Sequence, residues 1–180
     1  MDLPAANDTI VLRAEAYAYH RENIKENPDL YQPDTLRRIR SGEELSTVDY
    51  IQAWRQMDQY RRNAHRVFES VDVLITPTTP VLPSTIAELL ADTNNLRSKE
   101  ILMLRNTRTF NALGLPTMSM PCGFATTGLP IGMQISGAAW AEGNVFRLAH
   151  AYEQQTSWHT RQRQGDVHED EMGNKWDTGQ

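Results

Sequence analysis

Apolar residues recur at helical spacing through most of the first half of the chain. The pattern predicts a first helix, capped by Asp8 or Thr9, that runs to about Glu26 before an Asn-Pro pair. A second, short helix is expected over residues 35–42, with Gly42 ending it. These segments predict a helical region at the start of the chain.

The third predicted helix has the clearest start signal. Ser46 and Asp49 have the spacing of a capping box. One apolar stripe then follows at helical period, formed by Val48, Ile51, Trp54, Met57, Tyr60, Ala64, Val67 and Phe68. The arginines of this helix fall mostly off the stripe and are interpreted as a solvated face.

The pattern changes to β-type at residue 71. Residues 71–76 are short, β-branched and apolar, as in a buried strand, and the prolines that follow take the chain out of the sheet. Residues 92–95 are polar and predict a loop. A helix is expected over residues 96–113, stopped by Gly114 and the proline two residues later.

The last part of the chain alternates between strand and helix patterns. Residues 117–121 and 131–137 resemble strands around a turn at 126–128, and residues 142–156 predict a final helix. Residues 161–180 are rich in Gln, Asp, Glu, Gly and His, and they predict a polar, disordered tail.

The predicted order is three helices, a strand, a helix, two strands and a helix, which indicates an α/β fold. The predicted organisation is one domain over residues 1–160 followed by the tail. Three strands make a poor sheet, and natural domains usually cover the edges that such a sheet exposes. We therefore expect this chain to form part of a larger structure.

Composition excludes several functional classes. The chain has 180 residues and a formal charge of −5. Its 18 basic residues are three lysines and 15 arginines. They do not cluster into the net basic face that a nucleic-acid-binding protein needs. A single cysteine excludes an intrachain disulfide and a cysteine-rich zinc site. No apolar run is long enough for a membrane span, and the start shows no signal peptide. We expect a cytoplasmic protein that binds neither membrane nor nucleic acid.

A search for self-contained catalytic motifs finds none. The sequence has no G-x-S-x-G, Ser-x-x-Lys, H-E-x-x-H, P-loop or G-x-G-x-x-G motif, and its histidines are scattered without ligand spacing. Cys122 and Ser119 are the remaining nucleophile candidates, but neither has a base or cation nearby in the sequence. Both are interpreted as packing residues, and no metal or cofactor is expected.

Four stretches in series resemble the amidase signature family, which includes bacterial amidases and the amidase subunit of glutamyl-tRNA(Gln) amidotransferase. They are VDVLITPTTP at 71–80, RNTRTFNALGLPTMSMPCGF at 105–124, GLPIGMQISG at 128–137 and AHAYEQQTSWH at 149–159. The resemblance implies a partial amidase-signature fold, with helices packed on a mixed β-sheet of which about three strands are present. It covers only the C-terminal part of the family.

The resemblance also implies the family's chemistry, which is amide hydrolysis through an acyl-enzyme formed by a Ser, a cis-configured Ser and a Lys. These residues belong to a signature region upstream of every motif present here, so no catalytic residue is assigned in this chain. Without nucleophile, relay, base and oxyanion hole, the 180 residues alone are expected to be inactive.

Three substrate-binding candidates follow. In glutamine-handling members of the family, an arginine four residues before a helix-ending glycine binds the substrate carboxylate. Arg38 matches this position, four residues before Gly42. The alternative interpretation, in which Arg38 belongs to a solvated arginine-rich helix, also remains open. The aspartate that holds the substrate amine in those members corresponds to Leu104, which favours an amide without an amino group there. Thr76 and Thr78 lie in the loop of residues 76–80 that leaves the C-terminal end of the strand, where ligand crevices tend to open.

Three functional hypotheses remain open at this point. The chain is the C-terminal fragment of an amidase acting on a small-molecule amide, a non-catalytic binding or interaction module, or one half of a split amidase. Its expected partners are accordingly an N-terminal amidase half or a second copy of itself.

Overall fold

The computed structural model of the chain describes residues 7–161. All but the first residue of the predicted tail at 161–180 lies outside the described residues. The helices are α1 Asn7–Glu26, α2 Pro33–Arg40, α3 Thr47–Ala64, α4 Ile86–Ala91, α5 Leu96–Leu113 and α6 Glu142–Gln155. The strands are β1 Val73–Pro77, β2 Thr117–Phe124 and β3 Pro130–Gly137.

The three strands form one sheet in the order β1-β3-β2. Both pairings are antiparallel, so the mixed character implied by the resemblance is not seen within these strands. The α/β class and the sheet of about three strands are confirmed. Neither outer edge pairs with a further strand among residues 7–161, as expected for a sheet this small.

One face of the sheet packs against α6 through an apolar core. Side chains alternate between the two faces of a strand, so Met133 and Ile135 share the face toward α6. Ile135 is fully buried and contacts a cluster that includes Met120 of β2 and Val145 and Ala149 of α6. This core fixes the sheet on one side, and the opposite face carries mainly polar residues.

The other helices form a layer with its own buried residues, namely Ile24, Ile39, Ala53, Met57, Ala64, Phe110 and Leu113. The turn after α2 lies very close to α1. A Cβ on Gly42 would stand 2.1 Å from the Arg13 carbonyl oxygen and 2.7 Å from Tyr17 Cβ. Gly42 is therefore required by the close approach of two backbones, which the interpretation as a simple helix end did not foresee.

The third helix begins where predicted, but its contact face is partly different. The Ser46 hydroxyl accepts a hydrogen bond from the Asp49 backbone N–H at 3.1 Å. The predicted stripe is wrong at its start, because Val48 and Ile51 are 61% and 44% exposed while Ala53 is buried. The later stripe members Met57 and Ala64 are buried together with Ala53, so the stripe is correct in its later part.

Two local departures occur between β1 and α5. The strand begins at Val73 rather than at residue 71, and α4 was not predicted at all. A full capping box starts α4, with the Thr85 hydroxyl accepting from the Glu88 N–H and the Glu88 carboxylate accepting from the Thr85 N–H. The helix predicted over residues 96–113 is confirmed, and Gly114 ends it in the left-handed conformation at φ 67°.

Candidate functional site

The candidate site lies on the polar face of the sheet, near the end of β1. Register places Thr76 of β1 and Ser119 of β2 on either side of Gln134 in β3, so the three side chains share one face. The Gln134 amide donates to the Thr76 hydroxyl at 3.3 Å and is 2% exposed. A buried amide with a partner is a fixed polar group rather than a solvated one.

Thr78 continues this polar cluster just beyond β1. Its backbone N–H donates to the Gly132 carbonyl at 2.9 Å, and its hydroxyl lies 2.6 Å from the Ser119 hydroxyl. A Cβ on Gly132 would stand 2.7 Å from Thr78 Oγ1 and 3.1 Å from Ser119 Oγ. The hydroxyl pair thus occupies the space above a glycine of the central strand.

The segment after β1 is also held from the helical layer. Asn106 of α5 donates its side-chain amide to the Pro77 carbonyl at 2.7 Å. Pro77 and Thr78 are therefore fixed both by the sheet and by α5. The polar groups at the end of β1 therefore have fixed positions.

Arg38 lies in a different place, where α2 faces α5. Its Nη1 is 3.7 Å from Oε2 of Glu100, and Arg97 Nη1 is 2.9 Å from the same oxygen. Leu104 follows Glu100 by one helical turn and is 50% exposed. Thr76 and Thr78 belong to one polar cluster on the sheet, and among the described residues no hydrogen bond or ion pair joins Arg38 to either of them.

The two nucleophile candidates have structural contacts. Cys122 is half-buried, and its thiol donates weakly to the Ile131 carbonyl at 3.5 Å. Ser119 bonds to Thr78, as described above. Within residues 7–161, neither side chain bonds to a histidine or lysine that would act as a base.

The sequence analysis did not assign three side chains of this cluster to the site, namely Ser119, Gln134 and Asn106. Gln134 had a readable signal, since it is a polar residue between Met133 and Ile135 in an apolar strand. The partners of the other two depend on strand register and on how α5 packs, and neither is visible in local sequence.

The shifted ionisable groups lie outside this cluster, one in the middle of α1 and two in and just after α4. The hydrogen bond from Lys99 lowers the pKa of Asp92, whose carboxylate is 3.0 Å from Lys99 Nζ. Hydrogen bonds from Thr85 lower the pKa of Glu88, and a hydrogen bond to Glu43 raises the pKa of Tyr17. These shifts mark local structural contacts.

Residues 7–161 show neither a metal-ligand cluster nor a membrane-spanning helix. No three His, Cys, Asp or Glu side chains there converge as ligands for a metal ion. Within the same range, every helix is too short or too polar to cross a bilayer.

Comparison with known proteins places this chain in a family. The profile of the family described as Amidase matches residues 8–146. The chain belongs to the amidase family. It is 32% identical over 168 residues to an amidase of Pseudomonas putida. The aligned region covers 89% of this chain and 36% of that protein. The resemblance noted in the sequence is confirmed.

Other relatives agree. Over 156 residues the chain is 35% identical to a glutamyl-tRNA(Gln) amidotransferase subunit of Geobacillus stearothermophilus, covering 79% of this chain and 31% of the relative. The fold matches the solved structure of 6-aminohexanoate cyclic dimer hydrolase with a TM-score of 0.74 at 22% identity, covering 91% of this chain and 37% of the other. This amidase-family chain thus spans about a third of the length of the proteins it matches.

Proposed function

We propose that this chain is the C-terminal part of an amidase, and that the whole protein hydrolyses a carboxamide to a carboxylate with release of ammonia or an amine. The family match over residues 8–146 carries this proposal. The proposed chemistry is that of the family as implied by the resemblance, in which a Ser attacks the amide carbonyl and a cis-configured Ser relays its proton to a Lys.

The chain's proposed contribution is the wall of the acyl pocket rather than the reacting groups. Acyl transfer needs an activated nucleophile and donors for the developing oxyanion. Ser119 bonds to another hydroxyl, which supports a lining role and not a nucleophilic one. We therefore propose that the 180 residues alone do not turn over amides.

Thr76 and Thr78 are the proposed lining residues at the end of β1. Their support is the fixed polar cluster, in which Gln134 holds Thr76 and the Ser119 hydroxyl meets Thr78. Arg38 is the proposed second contact, on the α2 side. Its side chain is 50% exposed, which supports access by a ligand.

The test is ammonia release after the chain is mixed with an N-terminal amidase fragment. We expect turnover with the mixture, and we expect Thr78→Val to reduce it because the variant keeps the shape but loses the hydroxyl. Thr109→Val is the matched control, since the Thr109 hydroxyl only donates to its own helix at the Arg105 carbonyl. Equal turnover by all three mixtures would contradict the role of Thr78.

The proposed partner is an N-terminal amidase half, either joined to this chain or separate from it. The two unpaired sheet edges among the described residues support a partner of that kind. Ile75 on β1 is 57% exposed, which adds apolar surface beside one edge.

The second candidate function, an interaction module without catalysis, rests on the same exposed surface. Both candidate functions require an uncovered apolar surface, unlike a self-sufficient domain. Size-exclusion chromatography measures self-association, and binding of a hydrophobic dye measures the exposed apolar surface. A monomer that binds no dye would argue against any bare interface.

The proposed compartment is the cytoplasm. A single cysteine leaves no intrachain disulfide to form, and disulfides are a feature of oxidising compartments. Fractionation of cells that produce the protein checks this assignment.

A further inference from the structure

We propose that Glu100 sets the substrate selectivity of this amidase segment. By pairing with Arg38, it biases the site toward amides whose acyl part is apolar and uncharged, and against amides that carry a carboxylate. The inference rests on the proposed function of Arg38 as a substrate contact.

The geometry places one carboxylate between two guanidiniums. Glu100 Oε2 is 2.9 Å from Arg97 Nη1, one turn away on α5, and 3.7 Å from Arg38 Nη1 on α2. The pair from Arg97 anchors Glu100 on its helix. Arg38 therefore meets an anion that belongs to the protein itself.

An internal carboxylate competes with one brought by a ligand. Glu100 is tethered beside Arg38, so a free carboxylate must displace a group held at high effective concentration. The Arg38 side chain is 50% exposed and that of Glu100 is 34% exposed, so solvent screens the pair and its strength is modest. Two guanidiniums and one carboxylate also leave one positive charge, so Glu100 disfavours a carboxylate ligand without excluding it.

The surface next to this pair is apolar. Leu104 is 50% exposed one turn after Glu100, and Ile101 is 43% exposed beside it on α5. An ammonium group placed against Leu104 would lose hydration without gaining a partner, whereas an alkyl chain would gain burial. Both features favour the same ligand, an amide with an uncharged alkyl acyl group.

The test compares two amides of matched length, butyramide and succinamate, titrated into the full chain. NMR shifts of the Arg38 Nε–H and the Leu104 methyl groups report binding at this place. We expect the wild type to bind butyramide more tightly. We expect Glu100→Gln to raise the succinamate affinity by about 1.5-fold to fivefold, the range for an exposed ion pair, and to leave the butyramide affinity unchanged.

Two control variants isolate the pair. Glu22→Gln removes a more exposed carboxylate, 3.8 Å from Arg21 and outside the Arg38 pair, and should change neither affinity. Adding Arg38→Met to Glu100→Gln should abolish the gain for succinamate. Circular dichroism of each variant confirms that it has the wild-type helical content.

The outcomes separate this inference from the function on which it rests. Binding of both amides with no change on Glu100→Gln, or a wild-type preference for succinamate, would overturn the selectivity role alone. A chain in which neither amide shifts Arg38 or Leu104 in any variant would overturn the proposed substrate contact and the inference with it.

Discussion

At the scale of single residues, the candidate site depends on a glycine. Gly132 is the residue over which the hydroxyls of Thr78 and Ser119 meet. The sequence indicated Thr76 and Thr78 because Thr76 ends the predicted strand and Thr78 follows it. It held no sign of Ser119 as their neighbour, because that contact is made across the sheet and depends on register.

Gly132→Ala tests this arrangement. The added methyl would stand 2.7 Å from Thr78 Oγ1, so the hydroxyl pair must move. We expect a loss of about 1–3 kcal/mol in the free energy of unfolding, measured with urea. Gly143→Ala is the control, since its added Cβ has no atom within 4 Å apart from its chain neighbours and the nearby backbone of its own helix. Equal losses for the two variants would contradict the crowding at Gly132.

Asp92 gives a pH-dependent prediction at the same scale. Its pKa is lowered mainly by the hydrogen bond from Lys99. A carboxyl whose pKa is lower in the folded state stabilises the fold above its unfolded pKa, and this contribution is lost as pH falls through the folded pKa. Stability should therefore fall through that acidic window, and less so in Asp92→Asn. Parallel urea titrations against pH check this, and identical profiles would refute it.

At the scale of elements, long periodic segments were predictable and short ones were not. The helix over residues 96–113 was predicted to the residue, since its apolar period and its Gly-Pro stop are both local signals. The helix α4 was missed although Thr85 and Glu88 have capping-box spacing. The three prolines just before it indicated a loop. A helix of six residues is too short to show an apolar period that would have indicated otherwise.

The Ser46 cap is the clearest local signal with a measurable effect. Ser46→Ala removes the hydroxyl that accepts from the Asp49 N–H. We expect a loss of about 1 kcal/mol in unfolding free energy, read as a lower urea midpoint at unchanged slope. Ser98→Ala, a substitution within α5 at an exposed position, is the control. An unaffected midpoint in Ser46→Ala would contradict the cap.

The packing of β3 on α6 predicts a contrast between two isoleucines in directly paired positions. Ile135 is fully buried, whereas its partner Ile75 on β1 is 57% exposed. Ile135→Ala should lower the unfolding free energy by about 2–5 kcal/mol, and Ile75→Ala by much less. If Ile135→Ala does not fold, Ile135→Val should still cost about 1 kcal/mol. The two side chains share one face of the sheet, so similar costs would contradict the burial of Ile135 in the central strand beside an exposed position on the edge strand.

At the scale of the whole molecule, the sequence predicted both membership of the amidase family and a sheet that needs more structure around it. The chain spans about a third of its relatives, and the sheet it holds has two unpaired edges among the described residues. The pairing of Arg38 with Glu100 could not be predicted from local sequence patterns, because it joins α2 to α5 across a long stretch of sequence.

The central claim is that this amidase-family chain forms part of a binding wall and does not supply the reacting groups. Ammonia release from simple amides by the purified 180-residue chain tests it most directly, with a complete amidase as the positive control. The account predicts no release above the uncatalysed rate. Robust turnover by the chain alone, abolished by substitution of one of its own residues, would contradict it.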